Sequence, residues 1–549
     1  MPLFRTKLWS RRQLIKQSGM ISAMGAAAAI SPFTSSAAVA DPKSEVQTGQ
    51  QPEPGVVNNL APRQGTDADN LFTQIGVRPI LNARGTYTII SGSRSLPEVK
   101  QAMFEASNYF VHLDELMDAV GKELGQLTGA EWGIATTGCE AAIALATIAC
   151  IAGTDPEKSQ ALPYIKARDQ VIIPKHSRNP YDFGVRMTGA ELVEVNSAEE
   201  LHAKLSNRTA MIYILSSPAA EKGSLSIPSI CAIAKEKNVP VFVDAAAEEP
   251  LVPNIHIQHG ATLVGYSGGK CLRGPQSSGM LIGQKDLCRA AYFQAAPHHN
   301  YGRAYKCSKE EIMGLLAAVR QWYKRDHDAE QRDWLSWLQH IEARLKDLPS
   351  VKTEYLQPED LSNRAPNLRI SWDANQLKIT GSELVAVLDA GNPRILVEGG
   401  SGVRPNRMAS SIGIMPYMMD PGEDRIVADA IYEALTKPAH YDDPVIPTGE
   451  PAKVQGKWAF TIQYTRGAGE QHITLQQNGN ELTGSQQGEL YKADLKGSIH
   501  ATQIELHSNM AVSGNEIPWT FKGKVHENTM EGTVHLGEYG DATWHATRV

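Results

Sequence analysis

Long apolar runs are missing from this 549-residue chain. The most hydrophobic stretch near its start, Ser18 to Ile30, is too short to cross a bilayer, which takes about 20 apolar residues. No stable membrane span is therefore expected once the amino-terminal segment is removed. Paired cysteine motifs are missing too. Cys139, Cys150, Cys231, Cys271, Cys288 and Cys307 show neither C-x-x-C spacing nor histidine pairing, which argues against a zinc site and leaves no metal to propose. An even cysteine count could mean disulfides in an oxidising compartment, but Cys150 lies inside an Ala/Ile-rich helical run, and buried free thiols are expected instead. An excess of positive charge is also lacking. The formal charge is −7, and −12 once the five basic residues of 1–40 are set aside. No basic face able to grip a phosphate backbone is indicated, so nucleic acid is not an expected partner.

What is present begins with an address. Ser10-Arg11-Arg12-Gln13-Leu14-Ile15-Lys16 is a twin-arginine pattern, and Ala38-Val39-Ala40 fits a cleavage site before Asp41. The expectation is a signal peptide over 1–40 and export by the twin-arginine route to the periplasm or beyond. Residues 41–70, rich in Pro, Gln, Gly and Asn without periodicity, read as a flexible linker. The remaining length and its 42% hydrophobic content suit two or three domains with sizeable cores.

The centre of the chain is Val239 to Gly283. Val241-Phe242-Val243-Asp244 has the pattern of a buried parallel strand with an acid at its carboxyl end. Leu263-Val264-Gly265-Tyr266-Ser267 is a second such run, and Gly268-Gly269 turns it into Lys270. Ligands of open α/β sheets sit outside the carboxyl ends of the strands, so Asp244 and Lys270 should face one crevice. An amine that condenses with an aldehyde and an acid that keeps a pyridine nitrogen protonated are the two fixed needs of a pyridoxal 5'-phosphate (PLP) site.

With the following Arg273-Gly274-Pro275-Gln276-Ser277-Ser278-Gly279, this segment resembles the active-site region of fold-type I PLP enzymes. It is most similar to the branch of selenocysteine synthase (L-seryl-tRNA selenium transferase) and D-glucosaminate-6-phosphate ammonia-lyase, over roughly Ile75 to Leu435. The synthases tend to carry Ser-Gly-Asp-Lys where this chain has Ser-Gly-Gly-Lys, and Arg273-Gly274-Pro275-Gln276-Ser277-Ser278-Gly279 resembles the ammonia-lyase side. The resemblance implies a fold-type I PLP-dependent transferase-like large domain with a mostly parallel sheet, a smaller α/β domain, a catalytic Lys270 and Asp244, and a homodimer or higher homo-oligomer. Ile80-Leu81-Asn82-Ala83-Arg84-Gly85-Thr86 resembles the family's opening segment, which approaches the active site.

Other candidates follow along the chain. Ile134 to Thr137 reads as a strand entering an Ala-rich helix through Thr137-Gly138-Cys139, and free N–H groups at a helix start make a phosphate seat. Ser267 is expected to complete it. His176, after the strand Val171–Pro174, is the candidate to stack on the pyridine ring. Ser216 and Ser217 end the strand Met211–Leu215 and are weaker candidates for the ring hydroxyl. Arg303 and Lys306 are candidate substrate or phosphate binders, as is Arg404 for a carboxylate, with Arg369 and Arg407 behind it. Glu248 and Glu249 stand where relatives often carry Gln-Leu. Ser308 and Glu311 form a capping box for one long helix through Trp337.

The domains expected are 71–330 (PLP-binding), 331–438 (small α/β), a Pro-rich linker over 439–455, and 456–549. The last shows about eight short period-two runs separated by turn residues, the pattern of an antiparallel barrel or sandwich. Its Gly456-Lys457-Trp458 is similar to the first-strand signature of lipocalins. It holds no catalytic constellation, so docking or stabilisation is its expected use. The function expected is an exported PLP-dependent enzyme acting on an amino acid or amino-sugar acid, with β-elimination of the ammonia-lyase type favoured. Racemisation and transamination use the same two residues. A non-catalytic PLP-fold binding or assembly protein is the alternative of another class.

Overall fold

A computed structural model describes residues 70–165, 167–512 and 514–549. The twin-arginine pattern, the cleavage site and the linker up to residue 69 lie outside the described residues.

The chain's first strand, β1 (Leu81–Ala83), is followed by seven strands that build the large sheet. These are β2 (Trp132–Thr136), β3 (Gln170–Pro174), β4 (Glu191–Val195), β5 (Thr209–Leu215), β6 (Val241–Asp244), β7 (Leu263–Ser267) and β8 (Gly279–Gly283). Their order is β2-β8-β7-β6-β5-β3-β4. β7, β6, β5, β3 and β4 run parallel, while β8 lies antiparallel to both β2 and β7. The parallel strands are unbroken aliphatic runs because helices cover both faces. Val171, Ile172, Ile212, Ile214, Val243 and Val264 are fully buried. The expectation of a mostly parallel sheet holds, with β8 as the reversed strand.

A second, five-stranded sheet has the order β1-β11-β12-β10-β9, with β9 (Lys352–Leu356), β10 (Asn367–Trp372), β11 (Ile395–Val403) and β12 (Asn406–Ile414). β1 pairs parallel with β11, so the loop after it carries the amino-terminal segment from the small sheet to the edge of the large one. The capping box is present: Glu311 N–H donates to Ser308 Oγ at 3.4 Å and Ser308 N–H to Glu311 Oε2 at 3.0 Å. The expected single helix is instead two, Lys309–Trp322 and His327–Leu345. Asp326 causes the break by accepting from Ala329 N–H at 2.9 Å, an N-cap that starts a new helix.

Residues after 455 form a closed barrel of β13 (Gly456–Gln463), β14 (Ala468–Asn478), β15 (Glu481–Gln487), β16 (Lys492–His500), β17 (Gln503–Val512), β18 (Asn515–His526), β19 (Thr529–His535) and β20 (Asp541–Arg548) in sequential order. Closure by β13 against β20 removes the free edges that an open sheet would expose. Of the two architectures expected, it is the barrel. Its interior is filled by Phe460, Phe521 and Trp544, with ring centroids 4.9 to 6.0 Å apart. Trp458 is buried on β13, donates its indole N–H to Val454 O at 2.7 Å, and is covered by the Arg548 guanidinium 4.4 Å from its ring centroid.

All six cysteines are free, five buried and Cys271 half-buried. Among the described residues no helix is long and apolar enough to cross a membrane, and no group of His, Cys, Asp and Glu could hold a metal ion.

Two outcomes follow from this packing. Phe521→Ala should destabilise the barrel by about 3–5 kcal/mol, the usual cost of emptying an aromatic core position. Calorimetry should show the barrel's transition moving while that of the sheet core stays in place. Burial pushes the thiols of Cys150, Cys231 and Cys307 up to about 12. An unfolded chain releases these protons near pH ~8.5, so the folded state holds more protons between that value and about 12. The associated stability is complete below the unfolded value and drains away as pH rises toward 12, by about 1.4 kcal/mol per pH unit per thiol. Urea midpoints measured from pH 8 to 10.5 should fall, and less steeply in Cys150→Ala.

Candidate active site

β6 ends in Asp244, which is 1% exposed. Its Oδ1 accepts from Ala246 N–H at 3.1 Å and from the Cys139 thiol at 3.4 Å, and its Oδ2 accepts from the Tyr213 hydroxyl at 2.7 Å. Burial, with Asp244 as the next cause, pushes the Cys139 thiol and the Tyr213 phenol well above their ordinary ranges, so both keep their protons and serve as donors. Asn179 Nδ2 in turn donates to Tyr213 Oη at 3.0 Å and to Ser177 O at 2.8 Å. A carboxylate offers about four lone-pair positions. Three are filled, and the open one is on Oδ2.

β7 delivers Lys270 through a turn that only glycine permits. A Cβ on Gly268 would lie 2.0 Å from Ser278 Oγ, and one on Gly269 would lie 2.7 Å from Gln276 Cα. Bonds from Gly268 N–H to Ser278 O, from Gly274 N–H to Gly268 O and from Ser93 N–H to Gly269 O, each 2.8 to 2.9 Å, hold the turn. Lys270 is half-buried, and among the described residues no carboxylate is in ion-pair range of its amine. It nonetheless acts on the Cys139 thiol, lowering what Asp244 raises. The amine and the carboxylate border the same thiol without pairing.

Opposite them, β2 feeds the helix Cys139–Ala152 through Thr137 and Gly138. Gly138 supplies no side-chain cap, so the first-turn N–H groups lack an internal acceptor. Thr136 Oγ1 holds Gly138 O at 2.8 Å, and the space beyond the Gly138 Cα is open. An uncapped start on a 14-residue helix attracts an anion. Ser267 is half-buried at the end of β7, its N–H donating to Ala246 O at 3.2 Å. The hydroxyls of Ser217 and Ser93 are buried without partners, a state that costs free energy unless something else is bound there. An uncapped anion seat, a carboxylate with an open lone pair and an amine without a counter-ion together fit PLP.

The remaining candidates divide. His176 is exposed on the short turn after β3, its Nδ1 3.3 Å from Ser177 Oγ, three residues before the Asn179 that reaches Tyr213. Tyr305, between Arg303 and Lys306, is close enough to Glu140 on the helix's first turn for that carboxylate to help burial push its phenol up to about 12. Neither cation has an ion-pair partner among the described residues. Arg404 is a correction. Its fork is spent on Glu383, at 2.6 and 3.3 Å, on Lys378 O at 2.9 Å and on Asp443 at 3.5 Å, leaving no edge for a substrate carboxylate. Arg407 is likewise held by Asp443, and Arg369 pairs with Glu354 at 3.1 Å on an exposed strand face.

Ser216 is a second correction. Its hydroxyl donates to Glu248, whose other oxygen meets His256 Nε2 at 2.6 Å. Glu248 is thus a buried structural acid, and Glu249 pairs with Arg364 at 3.3 Å. The sequence reading missed Tyr213 and Asn179. A lone tyrosine inside the aliphatic run of β5 was the available signal, since a buried phenol needs a partner.

This frame recurs in known proteins. The family model described as Cys/Met metabolism PLP-dependent enzyme matches residues 101–305. A D-glucosaminate-6-phosphate ammonia lyase from Salmonella typhimurium is 28% identical over 333 residues, covering 59% of this chain and 87% of that protein. A 5'-C-glycyluridine monooxygenase-decarboxylase from a Streptomyces species is 30% identical over 340 residues, covering 59% of this chain and 83% of the relative. A solved structure of D-glucosaminate-6-phosphate ammonia-lyase matches with a TM-score of 0.59 and 26% identity, covering 67% of this chain and 98% of the other. The cofactor is pyridoxal 5'-phosphate. The chain belongs to the fold-type I PLP-dependent enzymes, in the branch of selenocysteine synthase and D-glucosaminate-6-phosphate ammonia-lyase.

Proposed function

We propose that this protein is an exported PLP-dependent lyase that eliminates a β-substituent from an amino acid or amino-sugar acid. The observation that carries the reading is the Lys270 amine, free of any counter-ion, beside the buried Asp244, on a frame similar to an ammonia lyase.

When bound, PLP supplies an electron sink for charge developing at the substrate α-carbon. Asp244 holds the pyridine nitrogen protonated through its open Oδ2 position, while Tyr213, Cys139 and Ala246 fix the carboxylate's orientation. The first-turn N–H groups after Gly138, with Thr137, Cys139 and Ser267, seat the phosphate. His176 would be a further contact of the cofactor. Lys270 would hold the cofactor through its amine and would take the α-proton as general base. Arg303 and Lys306 border the phosphate end and bind an anionic group of the substrate.

In this reading residues 71–330 hold the cofactor, 331–438 form the smaller domain, and 456–549 dock or stabilise. The enzyme works as a homodimer or larger homo-oligomer. Phe110, Tyr109, Phe104 and Ile89 support this by exposing 104, 68, 50 and 85% of their surface, a concentration of apolar side chains that a partner subunit would cover. The twin-arginine pattern, through a route that carries folded proteins, supports capture of the cofactor before export to the periplasm or beyond.

The purified protein should show a visible absorbance band that borohydride bleaches and that Lys270→Ala lacks. Activity of that variant should fall by roughly 10²–10⁴-fold, as loss of a positioned base does. A panel of amino acids and amino-sugar acids should yield ammonia and a 2-oxo acid in equal amounts. Inversion at the α-carbon without ammonia would instead make the protein a racemase. Mature protein recovered outside the cytoplasm should begin at Asp41, and joint Arg11→Lys and Arg12→Lys substitution should strand the precursor inside, as fractionation would reveal.

A further inference from the structure

The loop that follows β1 holds a cation that no other part of the site uses. Asn82 fixes its course: Oδ1 accepts from Arg84 N–H and Gly85 N–H, both at 3.0 Å, and Nδ2 donates to Gly85 O at 2.8 Å. Tyr417 braces the same stretch by a 2.5 Å hydrogen bond to Thr86 Oγ1. The loop then fastens onto the Lys270 turn. Ser93 N–H donates to Gly269 O at 2.9 Å, and Gln276 Nε2 donates to Thr88 O at 3.1 Å. Tyr417 ties in from the other side, since the Cys271 thiol next to Lys270 is among the groups raising its phenol.

On this anchored loop Arg84 is half-buried, its Nε sealed from solvent with no acceptor. Its guanidinium lies 4.6 Å from the Tyr87 ring centroid, so one face is used and the donor edge is not. The nearby carboxylate of Glu398 accepts instead from Tyr87 Oη at 3.2 Å and Asn367 Nδ2 at 2.8 Å, and among the described residues it forms no ion pair with Arg84. Arg94, on the same loop, is spent on Asp420, and Arg404 on Glu383. A buried guanidinium nitrogen without an acceptor is costly, and the group's planar fork matches a carboxylate.

We propose that Arg84 binds the α-carboxylate of the amino substrate and so selects amino acids over plain amines. This rests on the reading of Lys270 as the cofactor-bearing lysine of an amino-acid lyase. The assignment separates two anion sites: the phosphate at the helix start beside Arg303, and the substrate carboxylate on the loop held against Gly269.

The test compares the holoenzyme with Arg84→Gln and Arg84→Lys, titrating serine, ethanolamine and glycerate. Serine and ethanolamine are read by the change in the visible band, and glycerate, which has a carboxylate but no amine, by the rise in melting temperature. Wild type should prefer serine to ethanolamine and be stabilised by glycerate. Arg84→Gln should keep the cofactor band, lose the preference by roughly ten- to a hundredfold and lose the glycerate effect, with Arg84→Lys in between. An unchanged preference in Arg84→Gln, or loss of the cofactor band in that variant, would overturn the proposal. If no amine moves the wild-type band, the lyase reading fails by itself, and the glycerate arm still decides Arg84.

Discussion

A carboxylate removed from water and, among the described residues, paired with no cation is the constraint on which this molecule is built. Asp244 is buried at the end of β6 and satisfied by a backbone N–H, a thiol and a phenol, all neutral donors. A buried carboxylate without partners is expensive, and here three hydrogen bonds offset that cost. Lys270 stands near enough to influence the same thiol but is not paired with the acid. The acid and the amine therefore border one site without pairing, which leaves both available to a cofactor that would condense with the amine and keep a ring nitrogen protonated by the acid.

The large sheet makes this possible. Parallel strands end together, so β5, β6 and β7 present Ser217, Asp244 and Lys270 at one edge, while the reversed β8 packs Gly279 against Gly138 and fixes the helix start. The small sheet contributes through its borrowed strand β1, whose loop returns to the Lys270 turn. The barrel has a core of its own built on Phe460, Phe521 and Trp544. The two relatives compared bear names of unlike chemistry, an ammonia lyase and a monooxygenase-decarboxylase.

Much of the site was legible because its signals are local. Strand runs ending in Asp244 and Ser267, the Gly-Gly turn before Lys270 and the Thr-Gly entry to an Ala-rich helix each occupy a few consecutive residues. The capping box at Ser308 is equally short-range. What went unread depends on distance along the chain. Tyr213 lies 31 residues from Asp244 and Asn179 lies 34 from Tyr213, and nothing in either neighbourhood announces the other. Arg404 looked available because a sequence does not show that Glu383 and Asp443 fold around it. Ser216 looked available for the same reason, before Glu248 took its hydroxyl.

By itself the sequence determined the family and the cofactor, because strand runs ending in an acid and in a Gly-Gly-Lys turn are signals carried by consecutive residues. It also determined a separate all-β carboxyl-terminal domain, because period-two alternation is a property of consecutive residues. Only the tertiary structure decided which polar groups were already satisfied and which were left open. Hydrogen-bond partners are chosen by proximity in space, and that is how Arg404 was spent and Arg84 was not.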